Sequence, residues 1–220
     1  MEIKRLSGLD LPRIMELQNM VLKVLGDHSL YYALAQAEVE AMLGEQGLSL
    51  GIYAEEQHLI AYAAVRFPGS EPDNLGIDSK LNHEELTRVA HIEAGLVHPD
   101  FRGQNLQKLI YEEAILQTRM LGRFRHLYST VACHNYPALI NSLKLGLVIT
   151  ALETKYGGYL RYVLYQDWAQ PLSIDRSQVF KVACGDRERQ EALLAEGWLG
   201  FAWEKNENQM LLHYGRRFKA

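Results

Sequence analysis

The stretch His91–Leu121, which begins HIEAGLVHPDFRGQNLQKLIYEEA, constrains this chain more than any other. It reads as an apolar strand, a sharp turn at His98-Pro99-Asp100, and a long helix opened by Arg102-Gly103. A strand that enters a helix through a short glycine-bearing turn aims several backbone N–H groups at one point, at the positive end of the helix dipole. Such a point suits a phosphate. Alternation along Val89–Val97 predicts His91, Glu93, Gly95 and Val97 on one face, and Ala90, Ile92, Ala94 and Leu96 on the other. Helical spacing predicts Leu106, Leu109, Ile110 and Ala114 on the buried side of a helix from about Gly103 to Leu121, closed by Gly122.

The rest of the chain alternates strands and helices. Met1–Leu6 reads as a strand. Asp10-Leu11-Pro12 opens a helix carrying Ile14, Leu17, Val21 and Leu25, and a second helix spans about Leu30 to Leu43. Leu48–Ala54 and Leu59–Phe67 form a hairpin joined by Glu55-Glu56-Gln57-His58. Pro68–Arg88, rich in Pro, Gly, Asn and Asp, reads as a long surface loop with a helical turn near Asn82–Leu86. His126–Ala132 is a strand. Asn135 caps a helix through Leu145, with Pro137 in its first turn and Gly146 at its end. Leu147–Lys155 and Leu160–Asp167 are strands turning at Tyr156-Gly157-Gly158-Tyr159. Pro171 marks a boundary, after which 179–183, 187–195, 198–203 and 210–214 suggest strand, helix, strand, strand. The expectation is a mixed α/β domain over residues 1–168 and a C-terminal α/β extension over 169–220. That extension would lengthen the sheet, cover an edge or offer a homodimer surface. No internal repeat is evident.

Composition excludes several classes. With 48% hydrophobic residues in 220, the chain can bury one sizeable core. A net charge of −4 argues against a nucleic-acid partner. No apolar run approaches a bilayer span, and MEIKRLSGLDLP lacks the apolar core of a signal peptide. Cys133 and Cys184 lie far apart and fit a reduced, cytoplasmic setting. His126, Cys133 and His134 match no familiar ligand spacing, so no metal is expected.

Two segments carry a resemblance. Ile92-Glu93 through Val97-His98-Pro99, Arg102-Gly103 with the helix behind it, and Asn135, Ala138 and Leu145-Gly146 resemble the GNAT superfamily of N-acetyltransferases, which bind acetyl-coenzyme A. Element order extends the resemblance over Met1–Trp168, and the specific motifs lie within residues 91–147. It implies a mostly antiparallel sheet of about seven strands flanked by helices, splayed between the Val89–Val97 and His126–Ala132 strands with the thioester in the cleft. The family pattern Arg/Gln-x-x-Gly-x-Gly/Ala falls on Arg102, Gly103, Gln104, Asn105, Leu106 and Gln107, whose backbone would hold the pyrophosphate. Asn105 replaces a glycine and tolerates left-handed geometry. Gln107 stands where a small residue is usual and is expected to crowd the close approach.

The same resemblance assigns backbone contacts with the pantetheine arm to Leu96 and Val97, and a coenzyme contact to Asn135. It puts Ser142 where a tyrosine usually serves as the acid, with Tyr156, Tyr159 and Tyr162 as substitutes. Glu93 sits where many members carry an acidic residue. A carboxylate there can take the proton that an ammonium acceptor must lose before it attacks a thioester. His91 is the second candidate base. The implied activity is direct acetyl transfer to a primary amine of a small molecule or peptide. The rival reading is an acyl-CoA-binding sensor or scaffold with little or no turnover. Glu71, Asp73, Asp78, Glu84 and Glu85 solvate the 68–88 segment and would favour a cationic acceptor.

Overall fold

The expected first strand, hairpin and central strand pair in chain order in the computed structural model, which describes residues 2–54, 58–207 and 209–218. The hairpin residues Glu55, Glu56 and Gln57 lie outside the described residues. The chain divides into two units, Met1–His126 and Leu127–Ala220.

In the first unit, β1 (Glu2–Arg5), β2 (Gly47–Tyr53), β3 (Leu59–Arg66) and β4 (Val89–Val97) lie side by side and antiparallel. Helix α1 (Leu11–Val24) has proline in its first turn and buries Ile14, Leu17 and Val21. These side chains pack with Val39 and Met42 of α2 (Gln36–Leu43), Tyr62 and Ala64 of β3, and Ala94 and Leu96 of β4. Each such aliphatic side chain contributes about 1.5–3 kcal/mol of burial. Helix α2 starts at Gln36 instead of near Leu30 because buried Gln18 pairs with the chain just before it. Its amide donates to Leu34 O and accepts from Leu34 N, each at 3.0 Å, and it also accepts from the Tyr31 hydroxyl at 2.9 Å.

The segment 68–88 is largely exposed and has the expected helical turn after Asn82, and it is also anchored to the fold. It holds two short helices, α3 (Leu75–Asp78) and α4 (His83–Leu86). Asn74, 1% exposed, donates to Gly69 O and Leu86 O at 2.6 and 3.2 Å and accepts from Gly76 N at 2.9 Å. Arg66 grips Asp73 through two hydrogen bonds of 2.6 and 2.8 Å. Helix α5 (Leu106–Met120) buries Leu106, Ile110, Tyr111, Ala114 and Thr118, whereas Leu109 points away from this stripe and is exposed.

The second unit contains α6 (Tyr136–Lys144), β6 (Val148–Lys155), β7 (Tyr159–Asp167), β8 (Ile174–Ala183), α7 (Arg187–Ala195), β9 (Trp198–Lys205) and β10 (Met210–Arg217). It opens with β5 (His126–Ala132), whose first residue closes the first unit. Strand order is β5-β7-β6-β9-β10-β8. Ten strands are therefore present among the described residues, not about seven, because residues 174–217 extend the sheet through a β6–β9 pairing. The order strand, capped helix, strand, strand occurs twice in this unit. Tyr162 and Tyr214, both fully buried, donate to the same Gln190 Oε1 at 2.9 and 2.8 Å. Cys133 and Cys184 are buried free thiols, each pushed up to about 11 chiefly by burial. Among the described residues, no helix is long and apolar enough to cross a membrane.

Candidate active site

The strand β4 is not regular. Val65 of β3 faces Ile92 and Ala64 faces Ala94, which leaves Glu93 as the extra residue of a β-bulge. The bulge breaks the expected alternation. Register against Tyr62, Ala64 and Arg66 puts His91 on the face of Ala94 and Leu96, while Ile92 joins Gly95 and Val97. Glu93 stays with His91, whose Nδ1 lies 3.8 Å from Glu93 Oε2. The Glu93 side chain is 15% exposed and bears electrostatically on the Tyr31 and Tyr62 phenols, so it looks toward the α1–α2 side. Burial drives Tyr31 far above the ordinary phenol value and pushes Tyr62 up to about 12, so both remain neutral hydroxyls.

His91 is buried, and its Nε2 accepts from the backbone N–H of Leu75 at 3.3 Å. In the neutral ring this leaves the proton on Nδ1, the nitrogen facing Glu93. On the opposite face of β4, a Cβ at Gly95 would fall on the Tyr111 hydroxyl, so only glycine fits there. A glycine inside an apolar strand is the sequence signal that could have revealed this close approach. Tyr31, Tyr62 and Tyr111 carried no comparable signal.

Downstream of β4, the turn is built by short-range contacts. His98 Nδ1 accepts from Asp100 N at 3.2 Å, and its ring meets His58 and Phe101 edge-on at 5.6 and 5.5 Å. A single 3-10 turn over Pro99–Phe101 leads to extended Arg102. Gly103 (φ +79°) and Asn105 (φ +58°) are both left-handed. Asn105 is the N-cap of α5, and its side chain makes no capping hydrogen bond. Residues 102–105 are exposed, and a Cβ at Gly103 would meet nothing within 4 Å. Glycine is therefore demanded there by backbone conformation, with open space around it. Gly103 and Asn105 precede a 15-residue helix whose first turn receives no side-chain cap from Asn105, and helix starts suit anions. These residues fit a diphosphate.

Gln107 does not crowd this turn. Its Nε2 donates to Gly95 O at 3.3 Å, and the side chain also hydrogen-bonds the Tyr111 hydroxyl, which draws it toward β4. Leu96 is buried in the core and Val97 is half-buried. Both pair with β3 opposite Tyr62 and Ala61, so the groups they have to offer a ligand belong to the main chain.

The remaining candidates lie in the second unit, apart from His126. Asn135 Oδ1 accepts from Ala138 N at 3.3 Å and caps α6. Ser142 is buried and donates to Ala138 O at 3.0 Å, which turns its hydroxyl into its own helix. Tyr162 is buried against Gln190. Tyr156 and Tyr159 are partly exposed, with the Arg161 guanidinium 5.7 and 5.3 Å from their ring centres. His126 Nε2 meets Glu85 Oε2 at 2.5 Å, and Glu85 also takes Arg88 at 2.9 Å. The His126 hydrogen bond, with help from Arg88 and Arg125, holds Glu85 below the usual carboxylate range. Among the described residues, no three His, Cys, Asp or Glu side chains are grouped to hold a metal.

No family model and no curated protein matches the sequence. Solved structures do match. An acetyltransferase of the GNAT family from Streptococcus pneumoniae aligns with a TM-score of 0.56 at 17% identity, covering 76% of this chain and 98% of that one. This chain has the GNAT fold. Two further structures agree. The PaiA N-acetyltransferase from Thermoplasma acidophilum, in complex with coenzyme A, aligns with a TM-score of 0.53 at 15% identity, over 76% of this chain and 98% of that chain. The ribosomal-protein-S18-alanine N-acetyltransferase from Escherichia coli gives 0.52 at 16%, over 81% and 98%. The GNAT fold thus persists here at 15–17% identity to these structures.

Proposed function

We propose that this protein moves the acetyl group of acetyl-coenzyme A directly to a primary amine of a small molecule or peptide. The observation that carries this reading is the juxtaposition, within one unit of a GNAT fold, of a bulge presenting Glu93 and an open left-handed turn at Gly103–Asn105. Backbone N–H groups of residues 103–107 take the pyrophosphate, and Arg102 adds a cation beside it. The main chain of Leu96 and Val97 receives the pantetheine arm. Acetyl-coenzyme A supplies an acyl group already activated as a thioester. The acceptor arrives as an ammonium and gives its proton to Glu93, directly or through water. The freed nitrogen forms the N–C bond as the C–S bond breaks and the thiolate departs. A thiol of pKa about 8.5 leaves without a dedicated acid, which accommodates the inward-turned Ser142. The reduced, buried thiols fit a cytoplasmic setting.

A turnover screen over small amines, amino acids and peptides, read by free-thiol release, tests this function. The native protein is expected to acetylate at least one class. Glu93→Gln is expected to keep the thermal shift given by acetyl-coenzyme A while turning over about 100-fold more slowly or worse. The loss of an exposed hydroxyl at position 142 favours a second reading, an acyl-CoA-binding scaffold. That reading requires binding with no turnover on the whole panel. At about 100 times Kd a ligand should stabilise the fold by about 2.7 kcal/mol, so a titration with no shift would remove both readings.

A further inference from the structure

The second unit contains one assembly twice. Val131-Ala132-Cys133 closes β5, and Val182-Ala183-Cys184 closes β8, 51 residues later. At the same spacing, Asn135 and Asp186 cap α6 and α7, each of 9 residues. Leu143 matches Leu194, Glu153 matches Glu204, and Leu160 matches Leu211. Gly146 and Gly197 follow the two helices with φ of +85° and +83°, so the chain leaves both helices along the same path. An antiparallel strand pair then completes each copy, β6–β7 in the first and β9–β10 in the second.

The two copies face each other as partners in a two-fold dimer do. In the order β5-β7-β6-β9-β10-β8, each strand of one copy mirrors its counterpart in the other. The central pair, β6 and β9, is antiparallel, and the residues opposed there are Ile149 and Gly200. These two are equivalent positions at the same 51-residue spacing. A position facing its own equivalent lies on the axis of an isologous contact. Packing is reciprocal as well, since α7 contacts β6 and α6 contacts β9. Arg187, first in α7, acts electrostatically on Cys133, and Cys184 acts on Tyr136, first in α6. The second copy keeps the frame and departs in chemistry. Asp186 stands in place of Asn135, and Arg187-Glu188 in place of Tyr136-Pro137. A carboxylate at the helix start disfavours an anionic coenzyme there.

We propose that residues 174–217 are a duplicate of the second half of the fold and act as a built-in partner for β6. They fill, within one chain, the surface through which two separate copies would pair. The inference is independent of the catalytic reading and predicts that the native chain is a monomer.

The test uses the full chain carrying Ile149→Cys and Gly200→Cys. Opposed residues of an antiparallel pair lie about 4.5–5.5 Å apart between Cα atoms, within reach of a disulfide. Oxidation is expected to give that bond within single chains, at monomer mass, across a wide range of concentration. Bonds between chains would overturn the proposal, as would a native chain that sediments as a dimer. A second variant, Gly200→Val, drives a side chain into Ile149, since even a Cβ at Gly200 would lie 2.8 Å from Ile149 Cδ1. Hydrogen exchange across 148–155 and 198–205 is expected to rise about tenfold or more, and a concentration-dependent dimer is expected to appear as the β6 edge becomes available. Native-like exchange, or an opened β6 that stays monomeric, counts against the built-in partner. Should Gly200→Val fail to fold, the disulfide result decides.

Discussion

Two strand-to-helix junctions in this protein meet the same physical requirement in opposite ways. Every helix start leaves N–H groups without an intrahelical partner. At β8–α7 the Asp186 carboxylate accepts from Arg189 N at 3.1 Å, and the junction is finished by its own side chain. At β4–α5 the N-cap side chain makes no such bond, two residues are left-handed, and the strand ahead carries a bulge at Glu93. Left-handed geometry costs about 1–2 kcal/mol at most non-glycine residues, and asparagine, as at position 105, is among the few types that tolerate it. The difference is that the β8–α7 junction is closed by its own Asp186 side chain, whereas the β4–α5 junction, the first in chain order, has no side-chain cap at Asn105.

The largest effect that sharpens this contrast is chemical. Glu93→Gln should lower the rate constant for transfer by about 10²–10⁴, whereas Glu188→Gln at the other junction should leave it unchanged, as steady-state kinetics on both variants would show. Next comes packing behind the first junction. Gly95→Ala puts a methyl on the Tyr111 hydroxyl and should destabilise the fold by about 1–3 kcal/mol, measured by urea unfolding. A matched pair then isolates the donors. Gly103→Ala and Asp186→Ala should each lose about 1 kcal/mol of stability, the first through left-handed strain and the second through a lost cap. Only Gly103→Ala should weaken acetyl-coenzyme A binding in calorimetry, and equal affinities for the two variants would break the contrast.

The smallest effect concerns pH. Glu85 has a folded-state pKa below its unfolded value of about 4.3. Its contribution is therefore present above that value and is lost as pH falls through the lower folded value. The stability gap between native protein and Glu85→Gln should be open near neutral pH and close as the pH falls through the lowered folded-state value, in paired denaturant titrations.

What the sequence disclosed follows from what leaves a local mark. Pro99 and Gly103 punctuate the turn, so strand, turn and helix were legible, and helix 187–195 was read with its correct ends. The bulge was not legible, because an inserted residue in an apolar strand changes which side chains share a face without changing composition. In the strap over 68–88 the surface position and the turn after Asn82 were legible, whereas its anchoring was not. Its order depends on one buried amide, Asn74, and an Asn among Pro and Gly looks like any other loop residue. The size of Gln107 is plain in the sequence, while its direction is set by contacts with Gly95 O and Tyr111 that the sequence does not show. The repeat stayed hidden because the two copies agree mainly at Val-Ala-Cys, at glycine and at a few leucines, and their helix surfaces differ.

The two buried thiols carry a practical consequence for measuring this protein. Cys133 and Cys184, each pushed up to about 11 by burial, are almost wholly protonated near neutral pH and mostly buried. In the native state both thiols should react far more slowly with a disulfide indicator than the coenzyme thiol, so colour released early in turnover reports departing coenzyme. Unfolding would unmask both sulfhydryls, and the same indicator would then count denatured molecules in the cuvette without a separate probe.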